Sequence, residues 1–263
     1  KSIINGRSEE LNNGNVVKIT ITNYQITNFG GSLLQENIHV NLLDVSDNIV
    51  NTANTSVQLS LDNTSEEIFG TLTKNAVNGV VIFDDIKINK VGTYKIKATI
   101  NEPYYLEIKT NDIIITQGQF AKIGFSQQPE GNKEGSAFKN GPILSVQDLG
   151  GNNIVDINQG SVKITELLKL TGSTITSTIS GDLTRNIING KADFTDASLN
   201  INTFGTYRIL TELTHPIVTS NALSNTFSIF DSVKPGEIVS TFNQFNSAFI
   251  ADNSPRRPYF DTT

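Results

Sequence analysis

Three acidic, amide-rich loops hold the side chains of this sequence best suited to bind a metal ion. They read LDVSDN, DNTSEE and FDDIK. Carboxylate and amide oxygens of this kind can bind Ca²⁺, although the spacing is not that of an EF-hand. Asp and Asn are also common in ordinary solvated turns, so a purely structural interpretation stays open. If the chain binds calcium, the expected ligands are Asp44, Asp47, Asp84 and Asp85.

No motif in the sequence indicates catalysis. The chain contains no cysteine, which excludes a thiol nucleophile and a disulfide framework. Its two histidines, His39 and His215, have no companion at the spacing of a metal site. The Gly-x-Ser-x-Gly motif of serine hydrolases does not occur. We therefore predict a protein that is not an enzyme, with no catalytic residue and no cofactor apart from possible Ca²⁺.

The charge of the chain argues against a nucleic-acid partner. The formal net charge is −6 and the isoelectric point is about 5.0. Binding to phosphate backbones depends on clustered Lys and Arg, which this sequence lacks. No apolar run approaches the roughly 18 residues of a membrane-spanning helix, so membrane insertion is not expected.

Short alternating runs of apolar and polar residues indicate an all-β fold. Examples are VVKITIT, IHVNLLD, SVQLSLD and YKIKATI, separated by stretches rich in Asn, Gly, Ser and Asp. A period of two residues is typical of strands with one buried face, and those intervening residues favour turns. Two such runs end in a shared motif, Gly-Thr-Tyr-basic-Ile, found in INKVGTYKIKAT and INTFGTYRILTE.

The shared motif belongs to an internal repeat. Asp44 corresponds to Asp148, and Gly92 corresponds to Gly205, at separations that grow from 104 to 113 residues as loops lengthen. Each copy has the length and the number of short strands of an immunoglobulin-like β-sandwich. The expected division is an N-terminal arm, two sandwiches and a C-terminal tail, at residues 1–14, 15–117, 118–231 and 232–263. The short hinge TQGQF between the sandwiches predicts a rod with limited bending.

The tyrosine of the repeated motif suggests a structural device. Tyr94 and Tyr207 start the penultimate strand of each copy, just after Gly92 and Gly205. In a tyrosine corner the phenol hydroxyl donates a hydrogen bond to backbone a few residues upstream. We therefore predict that these four residues stabilise the fold and do not act in catalysis.

The two copies resemble the bacterial immunoglobulin-like repeats of the invasin type. The first strand, the turn DVSDN or DLGGN, the NG…F strand and the GTY-basic-I motif carry this resemblance over about residues 15–231. It implies a repeat from an adhesin, a surface-layer protein or a viral surface protein, which would act as a spacer, lattice element or adhesive tip. The inserted stretch TELLKLTGSTITSTISGDLT in the second copy departs from the pattern.

The C-terminal tail carries apolar residues at helical spacing, namely Phe242, Phe245, Phe249 and Ile250. A segment of this length cannot bury them on itself, so we expect it to bind a surface. That surface belongs either to the second sandwich or to a neighbouring subunit. The neighbouring subunit is favoured here because the N-terminal segment also resembles an arm.

The sequence thus predicts an extracellular structural or adhesive protein of a cell or virion surface, assembling with copies of itself or with a neighbouring surface protein. Two alternatives stay open. A carbohydrate-binding or other ligand-binding module would use Tyr104 and Tyr105, an adjacent aromatic pair in the loop NEPYYLE. An accessory domain of a larger enzyme would have its catalytic residues elsewhere.

Overall fold

The computed structural model describes residues 14–102 and 104–232, and all the regular elements within these ranges are β-strands. The predicted all-β class is confirmed. In this part of the chain no helix is long and apolar enough to cross a membrane. The buried apolar residues form two separate clusters, one drawn from residues 16–115 and the other from residues 123–229. We call the corresponding parts of the chain the first unit and the second unit.

The first unit contains twelve strands. They are β1 (Lys18–Thr22), β2 (Thr27–Phe29), β3 (Ile38–Leu43), β4 (Ser56–Leu61), β5 (Ile68–Phe69), β6 (Thr73–Asn75), β7 (Val80–Phe83), β8 (Lys87–Ile88), β9 (Gly92–Tyr94), β10 (Ile96–Ile100), β11 (Leu106–Lys109) and β12 (Ile113–Thr116).

Two sheets of the first unit enclose its core. One has the strand order β1-β3-β7, and the other has the order β11-β10-β4-β6. Side chains alternate between core and solvent along each strand, as in Ile96, Ala98 and Ile100 of β10, which are all buried. At one edge β12 pairs with β2 in parallel and with β9 in antiparallel. This arrangement is an immunoglobulin-like sandwich.

The second unit contains ten strands. They are β13 (Lys122–Gln127), β14 (Ile143–Gln147), β15 (Ser161–Gly172), β16 (Ile179–Ser180), β17 (Thr184–Asn186), β18 (Lys191–Asp193), β19 (Asn200–Ile201), β20 (Gly205–Thr214), β21 (Asn221–Leu223) and β22 (Phe227–Ile229).

The second unit repeats this design with one long strand pair. Its sheets have the orders β13-β14-β18 and β17-β15-β20-β21, and β22 also pairs with β20. The inserted stretch of the sequence extends β15, which stays paired with β20 as far as Gly172 and Gly205. Alternate residues of β20 point inward: Tyr207, Ile209 and Thr211 are buried, and the Thr211 hydroxyl donates to Ala222 O at 3.0 Å. Two tandem sandwiches are therefore confirmed.

The same two-residue turn opens an equivalent strand in each unit. Asn78 and Gly79 have φ values of 51° and 74°, and Asn189 and Gly190 have 49° and 71°. Positive φ at both central residues is the requirement of a type I′ hairpin turn, which Asn-Gly meets with little strain. The turn fixes the register of β7 and β18. Phe83 ends β7 and Phe194 directly follows β18, and these two equivalent residues are both buried.

A buried hydroxyl accepts a hydrogen bond from a strand amide at an equivalent place in each unit, on β10 and on β20. The Ile96 amide donates to Thr110 Oγ1 at 3.0 Å, and the Ile209 amide donates to Ser224 Oγ at 3.0 Å. Both hydroxyl residues are buried. In each unit the side-chain hydroxyl thus provides an acceptor for a buried strand amide.

Substitution of Ser224 by Ala leaves the buried Ile209 amide without an acceptor. We expect the second unit to lose about 1–3 kcal/mol of unfolding free energy. Urea denaturation followed by circular dichroism measures this loss. Ser224→Thr keeps a hydroxyl, as the first unit does with Thr110, and should cost clearly less. Equal effects of the two substitutions would contradict the role given to the hydroxyl.

Candidate functional site

The predicted tyrosine-corner residues lie at the ends of β9 and β20. Tyr94 Oη donates to Lys90 O at 3.1 Å, and Tyr207 Oη donates to Thr203 O at 3.1 Å. Both rings are buried, and burial raises the pKa of Tyr94 above its ordinary value. Each hydroxyl thus bonds backbone four residues upstream. Any added Cβ on Gly92 would lie 2.8 Å from Tyr94 Oη, so glycine at this place makes room for the phenol.

Tyr207 has more hydrogen-bond partners than Tyr94. Its hydroxyl also lies 2.8 Å from Thr203 Oγ1 and 2.9 Å from Ser177 Oγ. Ser177 belongs to the inserted loop after β15, so this phenol ties the insertion to the corner. At Gly205, φ is 148° and an added Cβ would lie 2.2 Å from Thr171 O of β15. The two corners therefore share a motif, and the second corner also binds the inserted loop through Ser177.

Each of the four candidate calcium ligands already has a protein partner. The Asp44 carboxylate accepts from the amides of Asn48 and Ser46, and the bond from Asn48 is the main cause of its lowered pKa. Asp47 forms an ion pair with Lys18 at 2.6 Å. These bonds close the turn between β3 and β4.

The second acidic pair is bound to different groups. Asp84 forms an ion pair with Lys74 at 2.6 Å, and this bond lowers the pKa of Asp84. Asp85 accepts from the amide and the hydroxyl of Thr71, which lowers its pKa likewise. Within residues 14–102 and 104–232, no three His, Cys, Asp or Glu side chains are grouped so that they could hold a metal. Calcium binding stays a prediction.

The paired tyrosines lie in an exposed loop between β10 and β11. Tyr104 is 67% exposed and Tyr105 is 59% exposed. Tyr105 Oη donates to Glu107 Oε2 at 2.5 Å, and this bond raises the pKa of the phenol. Glu107 faces Thr99 across the sheet. The tyrosine pair therefore borders the solvent-facing side of the four-stranded sheet.

A polar groove of about 600 Å³ opens on that side of the sheet. Its walls are amide, hydroxyl and carboxylate side chains and contain no aromatic ring. They include Asn54, Ser56, Gln58, Thr99, Asn101 and Glu102. Such a surface offers hydrogen bonds to a polar ligand without an apolar platform beneath it.

A further site, which the sequence analysis did not predict, joins the two units. The turn between β14 and β15 runs from Asp148 to Asn152 and shares two bonds with the turn of Asp44 in the first unit. In each turn the Asp amide donates to the Asn carbonyl four residues on, and the Asn amide donates to Oδ1 of the Asp. Asp148 is buried, and its carboxylate accepts from the Asn152 amide at 2.8 Å and from the Gly118 amide at 2.9 Å. The turn thereby holds the linker that leaves β12.

Asn152 extends from this turn to the first unit. Its Nδ2 donates to Asn89 O at 2.7 Å, and its Oδ1 accepts from the Val91 amide at 3.1 Å. Nδ2 also lies 2.9 Å from Asp148 Oδ2, which fixes the orientation of the amide. One side chain thus satisfies a backbone acceptor and a backbone donor of the other unit.

Glycines let the two backbones approach closely at this joint. A Cβ added to Gly31 would lie 2.2 Å from Gly150 N, and a Cβ added to Gly150 would lie 2.1 Å from Asn89 O. Real Cβ atoms do not come this close, so only glycine fits both places. We call Gly30, Gly31 and Asn89 with the turn of residues 148–152 the joint.

The sequence contained a signal for the joint. Its only two Gly-Gly pairs, residues 30–31 and 150–151, meet there. At the equivalent places in the other unit the chain has Ser46 and Asp47 instead of Gly150 and Gly151, and Glu134 instead of Gly30. The difference between the copies marks the interface, whereas the prediction of the fold depends on what the copies share.

No protein-family model and no curated protein sequence matches the chain. Similar solved structures include invasin, titled a bacterial integrin-binding protein, at 12% identity and a TM-score of 0.34, over 83% of this chain and 40% of invasin. The Yersinia pseudotuberculosis adhesin InvE has 13% identity and a TM-score of 0.31, over 82% of this chain and 60% of InvE.

A third similar structure is that of domains 4–9 of the surface-layer protein SbsC. It has 16% identity and a TM-score of 0.28, over 84% of this chain and 32% of that structure. The chain thus spans less than two thirds of each of these three structures. By their titles they are adhesive or surface proteins, and similarity at this level assigns no family to the chain.

Removal of the two phenol hydroxyls should have unequal effects. Tyr207→Phe loses bonds to Thr203 and Ser177 in a buried place, whereas Tyr94→Phe loses one bond to Lys90 O. We expect losses of about 2 kcal/mol and about 1 kcal/mol in unfolding free energy. Chemical denaturation of each variant measures both. If neither variant is less stable than the parent, the corner does not stabilise the fold.

Proposed function

We propose that this protein is a non-enzymatic structural or adhesive protein of a cell or virion surface. Its two sandwiches act as a stiff spacer that holds loops and sheet faces at a fixed separation. The joint is the observation that carries this proposal. Domains in one chain move relative to each other by default unless their interface prevents it. Here the contact between units is built from backbone and buried polar groups, which tolerate little displacement.

Three features of the joint support stiffness. The linker is short and is hydrogen-bonded to the turn through Gly118 and Gln117, whose side chain donates to Asn153 O. Close glycine contacts leave no space for sliding. The bonds of Asn152 to Asn89 O and the Val91 amide depend on orientation, because hydrogen bonds weaken steeply when misaligned. Rotation of one unit against the other would break these bonds together.

The proposed partners are proteins, either copies of this chain or a neighbouring surface protein. Invasin and intimin are titled as an integrin-binding protein and as a complex with the translocated intimin receptor. A comparable protein partner is proposed for this chain by analogy alone. Assembly through the terminal segments stays a prediction, because Phe242, Phe245, Phe249 and Ile250 lie outside the described residues.

Carbohydrate binding is a second candidate, favoured by the polar groove and by the separate exposed pair Tyr104 and Tyr105. Amide and carboxylate groups such as Gln58, Asn101 and Glu102 are suited to sugar hydroxyls, and Tyr105 at the border of the sheet face offers a ring for stacking. A glycan array with the parent chain and Tyr105→Ala tests this function. Binding by the parent that the variant loses supports it, and no binding by either argues against it.

A matched pair of substitutions tests the spacer. Gly31→Ala and Gly135→Ala fall at equivalent places with φ values of 74° and 72°, so both incur similar backbone strain. Only the Cβ at residue 31 meets the other unit, because nothing lies within 4 Å of a Cβ at residue 135. We expect Gly31→Ala to open the joint and increase the radius of gyration in small-angle X-ray scattering.

The control Gly135→Ala should scatter like the parent chain. Both variants should lose roughly 1 kcal/mol or slightly more in unfolding free energy from backbone strain. Comparison of the two therefore separates the contact from the strain. Identical scattering by the two variants and the parent would show that the joint does not set the arrangement of the units.

A further inference from the structure

The end of the second unit where the described chain stops has an exposed apolar surface. Phe204 is 37% exposed, Phe230 is 61% exposed and Ile175 is 67% exposed. The Phe204 amide donates to Glu134 Oε2 at 3.2 Å, and the Glu134 amide donates to Phe230 O at 2.9 Å. Both phenylalanines therefore flank Glu134. We call Phe204, Phe230, Ile175 and Glu134 the end face.

The inserted loop of the second unit brings Ile175 to the same place. The Ser173 amide donates to Phe204 O at 3.2 Å, and the Ile175 amide donates to Ser173 Oγ at 3.1 Å. Lys169 Nζ also donates to Ile175 O at 3.0 Å. The loop is thus held beside Phe204 by several bonds, with its apolar side chain facing solvent.

The first unit uses its equivalent surface to bind the part of the chain that follows it. Phe204 corresponds to Val91 and Glu134 corresponds to Gly30. In the first unit, Gly30 and Val91 both contact Asn152 of the second unit, beside the other residues of the joint. This end of a unit is therefore a docking surface at least once in this chain.

The second unit cannot repeat the polar contacts of the joint. The Val91 amide donates to Asn152 of the other unit, whereas the equivalent Phe204 amide is already bound to Glu134. At the place of Gly30, Glu134 also fills the space that a turn would need. In the end face, the Phe204 amide and the Glu134 carboxylate are already hydrogen-bonded within the second unit. The side chains that remain exposed are aromatic or aliphatic, so the occupant should be apolar.

We propose that residues 233–263 of the same chain cover the end face through Phe242, Phe245, Phe249 and Ile250. The described chain stops at this face, because the Ser232 hydroxyl donates to Glu134 Oε1 at 2.8 Å. About ten residues separate Ser232 from the first of these phenylalanines and can span up to roughly 33 Å. A short tether gives an effective concentration in the millimolar range, which favours the same chain over a second copy.

This inference does not depend on the stiffness of the joint. It names the end face as the surface that the apolar tail covers. From the sequence, the second sandwich and a neighbouring subunit were both open as the surface for this tail. Buried aromatic residues contribute most of the energy of such contacts. The end face would then be closed by the chain itself and would not be open to partners.

Hydrogen exchange of the full-length chain tests the proposal. The variant carries Phe242→Ser, Phe245→Ser and Phe249→Ser, and the parent is measured at several concentrations. We expect amides of residues 202–206 and 228–232 to exchange about fivefold faster or more in the variant, because the cover is lost. Amides of residues 89–93 at the joint should be unchanged. Equal exchange in parent and variant would overturn the proposal.

A second variant changes the face instead of the tail. Phe204→Ser with Phe230→Ser in the full chain should raise exchange within the tail, and Ile217→Ser, an 87% exposed residue elsewhere in this unit, is the control. Light scattering should show that the chain is a monomer. The hydrogen-exchange rates of the parent should not depend on protein concentration. Protection that appears only in an oligomer would overturn docking within one chain and assign the face to a second copy. Scattering curves that report on the joint are a separate measurement, so either proposal can fail alone.

Discussion

The arrangement of the whole molecule depends on a backbone contact between two glycine pairs. Gly31 and Gly150 approach so closely that a single methyl group at either place would overlap with the opposite unit. Asn152 then bonds one acceptor and one donor that this approach brings within reach. The buried carboxylate of Asp148 holds the turn and the linker together. Without the glycine contact, the two sandwiches would be connected only by a short linker.

The two units share the residues that specify the sandwich fold and differ in the residues at their ends. The tyrosine, the Asn-Gly turn and the buried hydroxyl recur in equivalent places, and they specify the sandwich. Gly30 and Val91 lie where the first unit meets the second, whereas Glu134 and Phe204 lie at the same places of the second unit. A repeat that serves as a spacer needs this division, because the core must stay constant while each end suits what comes next.

The fold was predictable because its signals are local. Alternating burial follows directly from the period of two, and the inward positions Ile96, Ala98, Tyr207 and Ile209 are all buried as expected. The repeat provided two independent readings of one pattern. Positive φ at Asn78 and Asn189 likewise follows from the Asn-Gly pairs. Each of these features needs information from only a few neighbouring residues.

The joint was not predictable in the same way because it depends on distant residues. Gly31 and Gly150 are far apart in sequence, and nothing local shows that they meet. The contacts of the acidic residues could not be predicted for a similar reason. Asp44 has its carboxylate turned to the amides of its own turn, and Asp84 is paired with Lys74. Sequence shows that carboxylates are present, but only the structure shows which groups already bind them.

The most direct test of the stiff joint is a distance distribution between the two units. The chain has no cysteine, so single cysteines introduced at Gln58 and Lys163, two exposed strand positions, can carry spin labels without background. Pulsed electron paramagnetic resonance then gives the distribution, and a pair within the second unit, at Lys163 and Thr195, gives the width due to the labels. A single distribution between the units as narrow as the control is expected. A broad or multiple distribution would show that the units move independently and would contradict the spacer.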